Sequence, residues 1–105
     1  MTSDRLMDRA VLDRWAAVAI GDRTHLIGVL RGGHSRLAPG RWIITSPVRA
    51  YDQPNQIVVT ASTGRTYHLL EPLEGPLPPE VIDLLERTAR LWQLPPDTPI
   101  GLTDL

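Results

Sequence analysis

From Ala16 to Leu70 the apolar runs are short, rich in β-branched side chains, and separated by clusters of glycine, proline and asparagine. That punctuation predicts strands joined by turns. Ala16–Ile20 and His25–Arg31 read as two strands around a turn at Gly21-Asp22. Gly32 to Ser35 and Ala38-Pro39-Gly40 bracket a loop, and Arg41–Ser46 is the next strand, ended or bent at an edge by Pro47. Val48–Asp52 continues beyond that bend. Gln56–Ala61 and Arg65–Leu70 then form a hairpin across Ser62-Thr63-Gly64.

The flanks read differently. Met7, Val11 and Trp15 recur at i, i+4 and i+8 with Leu12 beside them, which predicts an amphipathic helix over residues 3–15, capped by Ser3 and favoured by Asp4 in its first turn. Seven of the ten prolines lie from Pro72 onward, so residues 71–78 read as an extended connector. Pro79 suits a helix N-terminus, and Val81/Ile82, Leu85, Thr88/Ala89 and Trp92 mark one face of a helix over 79–93. Residues 94–105 read as an extended, proline-rich tail. The predicted architecture is α+β: an N-terminal helix, a bent antiparallel sheet or small barrel of four to five strands, and a C-terminal helix. At 105 residues this is a single domain, since such a chain buries roughly two-thirds of its surface around one core.

Absences narrow the chemistry. All 11 basic residues are arginine, which removes a P-loop lysine and Schiff-base catalysis. With no cysteine there is no disulfide frame, thiolate nucleophile or cysteine-ligated zinc. Neither a secretory signal nor a membrane-spanning apolar stretch is evident, so a cytoplasmic location without membrane association is the expectation. Charge is uneven. Residues 22–70 carry six arginines (Arg23, Arg31, Arg36, Arg41, Arg49, Arg65) against Asp22 and Asp52, a surplus of +4, whereas residues 71–105 carry a net −5.

The loop from Gly33 to Gly40, followed by Thr45-Ser46, is the first candidate site. Its glycines permit positive φ, while His34, Ser35 and Arg36 supply a titratable group, a hydroxyl and an anion fork, a set suited to a small anion or phosphate. No helix follows to add its dipole. The string Gly28–Pro47, with Val59–Ser62 and Tyr67-His68-Leu69, resembles a group of small uncharacterised proteobacterial proteins with a Gly-His-x-Arg-Leu stretch, a Gly, a Thr-Ser pair and a later Tyr-x-Leu strand. The resemblance spans residues 26 to 70, departs from the pattern at Gly32 and His68, and implies no activity.

Other chemistries are weaker. His25, His34 and His68 lack the spacing of a metal site and would have to converge through folding. Ser35, Ser46 and Ser62 lack a nucleophile elbow, and Glu80, Asp83 and Glu86 share one solvated helix face. Arg41-Trp42 and Arg65-Thr66-Tyr67 interleave guanidinium and aromatic groups as nucleic-acid-binding barrels do. Trp92 beside Leu94-Pro95-Pro96 could anchor a partner or a second copy in a homodimer.

The resulting expectation is a non-enzymatic, protein-binding regulator without a cofactor, for example a phage- or mobile-element-encoded inhibitor of a bacterial defence complex. Its candidate binding residues are His34, Arg36, Arg41, Thr45, Ser46, Arg65, Tyr67 and Trp92. A nucleic-acid-binding small β-barrel is the first alternative. A small metal-dependent or hydrolytic enzyme is the second.

Overall fold

The computed structural model describes residues 9–34, 36–61 and 64–105. Its elements are β1 (Arg9–Ile20), β2 (Arg23–Gly32), β3 (Trp42–Ile44), β4 (Val48–Asp52), β5 (Ile57–Thr60), β6 (Thr66–Leu69), α1 (Pro79–Leu91) and β7 (Ile100–Thr103). All seven strands join one sheet in the order β3-β2-β1-β6-β5-β4, with β7 also pairing β1.

β1 is the spine. Along one edge it pairs antiparallel with β2. Its other edge is occupied in three stages. β6 runs parallel to Arg9–Leu12. The connector then bridges at Trp15, whose N–H donates to Glu71 O (3.2 Å) and whose carbonyl accepts from Leu73 N–H (2.8 Å). Finally β7 lies antiparallel to Ala17–Ile20.

Several expectations are thereby corrected. Residues 9–15 are strand rather than helix, and residues 3–8 of the expected helix lie outside the described residues. The sheet is mixed rather than antiparallel, holds seven strands rather than four or five, and does not close into a barrel, because no ladder joins β3 to β4. A helix does occupy Pro79–Leu91, but it is not C-terminal: the chain returns from it to the sheet as β7, so the tail is not simply extended. Among the described residues no helix is long and apolar enough to cross a membrane.

The strand at β1 has a physical reason. Val11 and Trp15 are four residues apart, a spacing that shares a face in a helix and also, being even, in a strand. A bulge between Asp13 and Ala16, with Arg14 at φ 49°, then reverses which residues point inward. Ala10 and Leu12 enter one core cluster before it, and Ala17 after it. Asp13 holds the bulge in place: its Oδ1 accepts from Arg14 N–H (2.9 Å) and Glu71 N–H (3.2 Å), and Oδ2 meets Arg31 at 3.3 Å.

Each face of the sheet has its own core. One is formed by the sheet curling upon itself, which brings Leu12, Leu26, Leu30, Ile43, Val58 and Tyr67 into a single cluster and puts β2 in contact with β4 although three strands separate them. The other packs Val18, Ile20 and Ile27 beneath Val81 and Leu85 of α1. The helix starts at proline and ends in a Schellman arrangement: Gln93 takes φ 56°, its N–H donates to Arg90 O (3.1 Å), and Leu94 N–H donates to Ala89 O (3.0 Å). Trp92 is thereby fixed at the helix exit.

Gly28 sits where β2 passes closely beside the β1 bulge. A Cβ there would lie 2.6 Å from Leu12 Cγ and 3.0 Å from the Asp13 carbonyl. Gly28→Ala is therefore expected to destabilise the protein by about 1–3 kcal/mol through overpacking. Urea denaturation checks this, and in a double-mutant cycle Leu12→Ala should recover part of the loss, because it removes the atom that Cβ would strike.

Candidate functional site

Where the curled sheet fails to close, a cleft of about 480 Å³ opens between the β2–β3 loop, the end of β3 and the start of β6. His34, Arg36, Thr45, Ser46, Arg65 and Tyr67 line it, with Leu37, Ile43 and Ile44 as its apolar wall. Six of the eight residues expected from sequence thus converge, although Arg65 and Tyr67 are some thirty positions from His34 along the chain. Arg41 does not join them: it is exposed before β3, where its carbonyl accepts from Leu30 N–H (2.9 Å). Trp92 lies at a different cavity, its ring tilted against that of His25. Ser35 and Ser62 lie outside the described residues.

The loop fixes His34 through its backbone. Nδ1 accepts from Arg36 N–H (3.0 Å) and Leu37 N–H (3.1 Å), so that nitrogen is unprotonated and the ring's proton sits on Nε2. Burial, followed by the positive charges of Arg65 and Arg36, holds the imidazole's pKa below the ordinary histidine value. His34 is therefore a neutral donor between two guanidinium groups. Arg36 is exposed and has no ion pair with any described carboxylate. Tyr67 is 4% exposed, and burial, opposed by Arg65, raises its phenol pKa, which keeps it neutral.

Thr45 serves the structure rather than a ligand. In the antiparallel register, Leu26 faces Thr45 one position beyond the β2–β3 ladder. Thr45 N–H donates to Leu26 O (2.9 Å), but Leu26 N–H is taken by the Thr45 hydroxyl (3.0 Å) instead of its carbonyl. The hydroxyl proton goes to Ser46 O (2.7 Å), and the freed carbonyl accepts from His25 Nδ1 (2.9 Å). The residue pattern points to a binding role for Thr45 and to His25 only as one of three candidate metal ligands; neither the hydroxyl substitution nor the His25 contact has a signature in that pattern.

The three histidines do not meet. His25 and His34 line different cavities, and His68 pairs with Val11 and Ile57 in the sheet. No group of three or more His, Asp or Glu that could hold a metal is present among the described residues. Nor do the aromatic rings form a stacking platform: Tyr67 belongs to the inner core and Trp42 packs against the core beneath α1. Comparisons with protein families, curated proteins and solved structures give no match to this chain.

Two measurements test this geometry. Thr45→Val keeps the shape but orphans Leu26 N–H, and should cost about 1–3 kcal/mol in urea denaturation, whereas Thr45→Ser should lose much less. For His34, the folded pKa lies below the unfolded one, so the unfolded chain takes up a proton first as pH falls. Its contribution to stability is thus intact above the ordinary histidine pKa and declines through the interval down to the folded value. Nitrogen-15 NMR should show the Nε2–H tautomer at neutral pH, and Arg36→Gln should raise the His34 pKa.

Proposed function

We propose that the protein works by binding, and that the cleft at the open seam receives a carboxylate-bearing segment of a partner protein. The observation that carries this reading is the convergence at one mouth of an exposed Arg36, without an ion pair to any described carboxylate, and a neutral, donating His34, with the charge of Arg65 beside them. Guanidinium groups present paired donors to carboxylates, and an imidazole that cannot accept on Nδ1 adds a third donor without adding charge. Ser46 supplies a hydroxyl at the same rim. The apolar wall of Leu37 and Ile43 suits an acidic side chain that carries an aliphatic neighbour.

A protein partner fits better than nucleic acid for two reasons. The rings of Trp42 and Tyr67, which a single strand would stack upon, are engaged in the cores. The donors also gather at one mouth rather than along a continuous basic groove. Charge at such a rim sets association rate and selectivity more than affinity.

The test is titration of the protein with a fluorescent glutamate-rich peptide and, separately, with an oligothymidylate. Peptide binding that weakens roughly tenfold in Arg36→Glu, with the circular dichroism spectrum unchanged, is the expected outcome. Binding of the oligothymidylate alone, falling steeply with salt, would overturn the reading in favour of nucleic acid.

A further inference from the structure

A second cavity, of about 520 Å³, lies on the other side of the Thr45–Ser46 segment, between the β1–β2 turn and the chain leaving α1. Its apolar surfaces come from Ile20, Pro47, Leu94 and the Trp92 ring, and Asp22 and Arg23 stand among its lining residues. Its polar centre is His25, which is 4% exposed. Because His25 Nδ1 lies 2.9 Å from a carbonyl oxygen, that of Thr45, this nitrogen must carry a proton and donate. In the neutral ring Nε2 is then a lone-pair acceptor. Among the described residues Nε2 has no hydrogen-bond partner, yet none of their buried side-chain nitrogens or oxygens is both sealed from solvent and unpaired. Nε2 therefore reaches the cavity that His25 lines.

Trp92 completes the arrangement. Its ring centroid lies 5.2 Å from that of His25, with the planes 37° apart, and it remains 40% exposed although it belongs to neither core cluster. An exposed aromatic face and a buried histidine with an open acceptor thus stand side by side at one cavity. We infer that this cavity binds a flat aromatic molecule bearing an N–H donor, with the ring against Trp92 and the N–H directed to His25 Nε2. A flat ring matches the aromatic and apolar walls, and a donor is what the acceptor held in place at His25 selects. The site is separate from the arginine cleft and does not depend on the reading given to that cleft.

The probes are indole and its isostere benzofuran, which has the same shape but an ether oxygen in place of N–H. They examine Nε2 without altering His25, whose Nδ1–H is needed to hold Thr45. In NMR titrations at mildly alkaline pH, indole is expected to shift the His25 ring and Trp92 indole resonances saturably, and benzofuran to bind about tenfold more weakly. Trp92→Ala should lose indole binding by a similar or larger factor, with the shifts of the β-sheet amides otherwise preserved. Equal affinity for the two probes would overturn the role of Nε2. Unchanged indole binding in Trp92→Ala, or no His25 shift up to the solubility limit of indole, would overturn the site. Arg36→Glu should leave indole binding unaffected, so this inference and the proposed function stand or fall separately.

Discussion

The side chain of Thr45 shapes the segment that the two cavities share. β3 is only three residues long, too short to hold the edge of the sheet by its ladder alone. One position beyond it, the Thr45 hydroxyl takes over the hydrogen bond that its own carbonyl would make in a regular ladder, keeping Leu26 N–H satisfied while the backbone turns away. A buried N–H left without a partner costs more than an average hydrogen bond is worth, so this substitution lets the strand end inside the protein. The released carbonyl orients His25, and the neighbouring Ser46 lines both cavities. Valine has the same outline as threonine but lacks the atom on which this depends.

The open seam follows from the same geometry. Pro47 interrupts the chain between β3 and β4 and has no N–H to donate, although its carbonyl accepts from Ala61 N–H (2.8 Å). The two ends of the sheet are thus joined covalently but not by a ladder. The inner core packs across the gap through Ile43 and Tyr67, while His34, Arg36 and Arg65 gather at its mouth. Clefts at the mouths of barrel-like sheets recur as binding sites because side chains from distant strands converge there while the sheet keeps the backbone rigid.

Much of the central region was legible in the sequence because turn residues act locally. The Gly21-Asp22 turn does join β1 to β2, and His34, Arg36, Thr45 and Ser46 converge because the loop and strand that carry them are near neighbours in the chain. What was not legible is non-local or ambiguous in period. Val11 and Trp15 satisfy the helical and the extended periodicity alike, and only pairing with β2 and β6 decides between them. The bulge at Asp13 then breaks the alternation that would have identified a strand. β7 has four residues and little pattern, lies close after Pro95, Pro96 and Pro99, and exists because β1 has an unfilled edge at Ala17–Ile20. Arg41 and Arg65 share the same guanidinium–aromatic signature in the sequence, but Arg41 precedes β3 and is exposed outside the cleft, whereas Arg65 reaches it.

On the reading proposed for the cleft, a bound carboxylate would meet donors rather than a general base. A general base needs an available lone pair near the proton it removes. The lone pair of His34 Nδ1 is already shared between two backbone N–H groups, and Nε2 carries the proton, so this ring can donate but has nothing to accept with. Burial keeps the Tyr67 phenol neutral, and no carboxylate stands among the described residues that line the cleft. What remains at the mouth is positive charge from Arg36 and Arg65, one imidazole N–H and one serine hydroxyl. Protonating His34 would add a positive charge beside Arg36 and Arg65 and would break both of its backbone hydrogen bonds. The loop that shapes the mouth is therefore most secure while His34 is neutral, and the positive charge available to a bound carboxylate comes from the arginines alone.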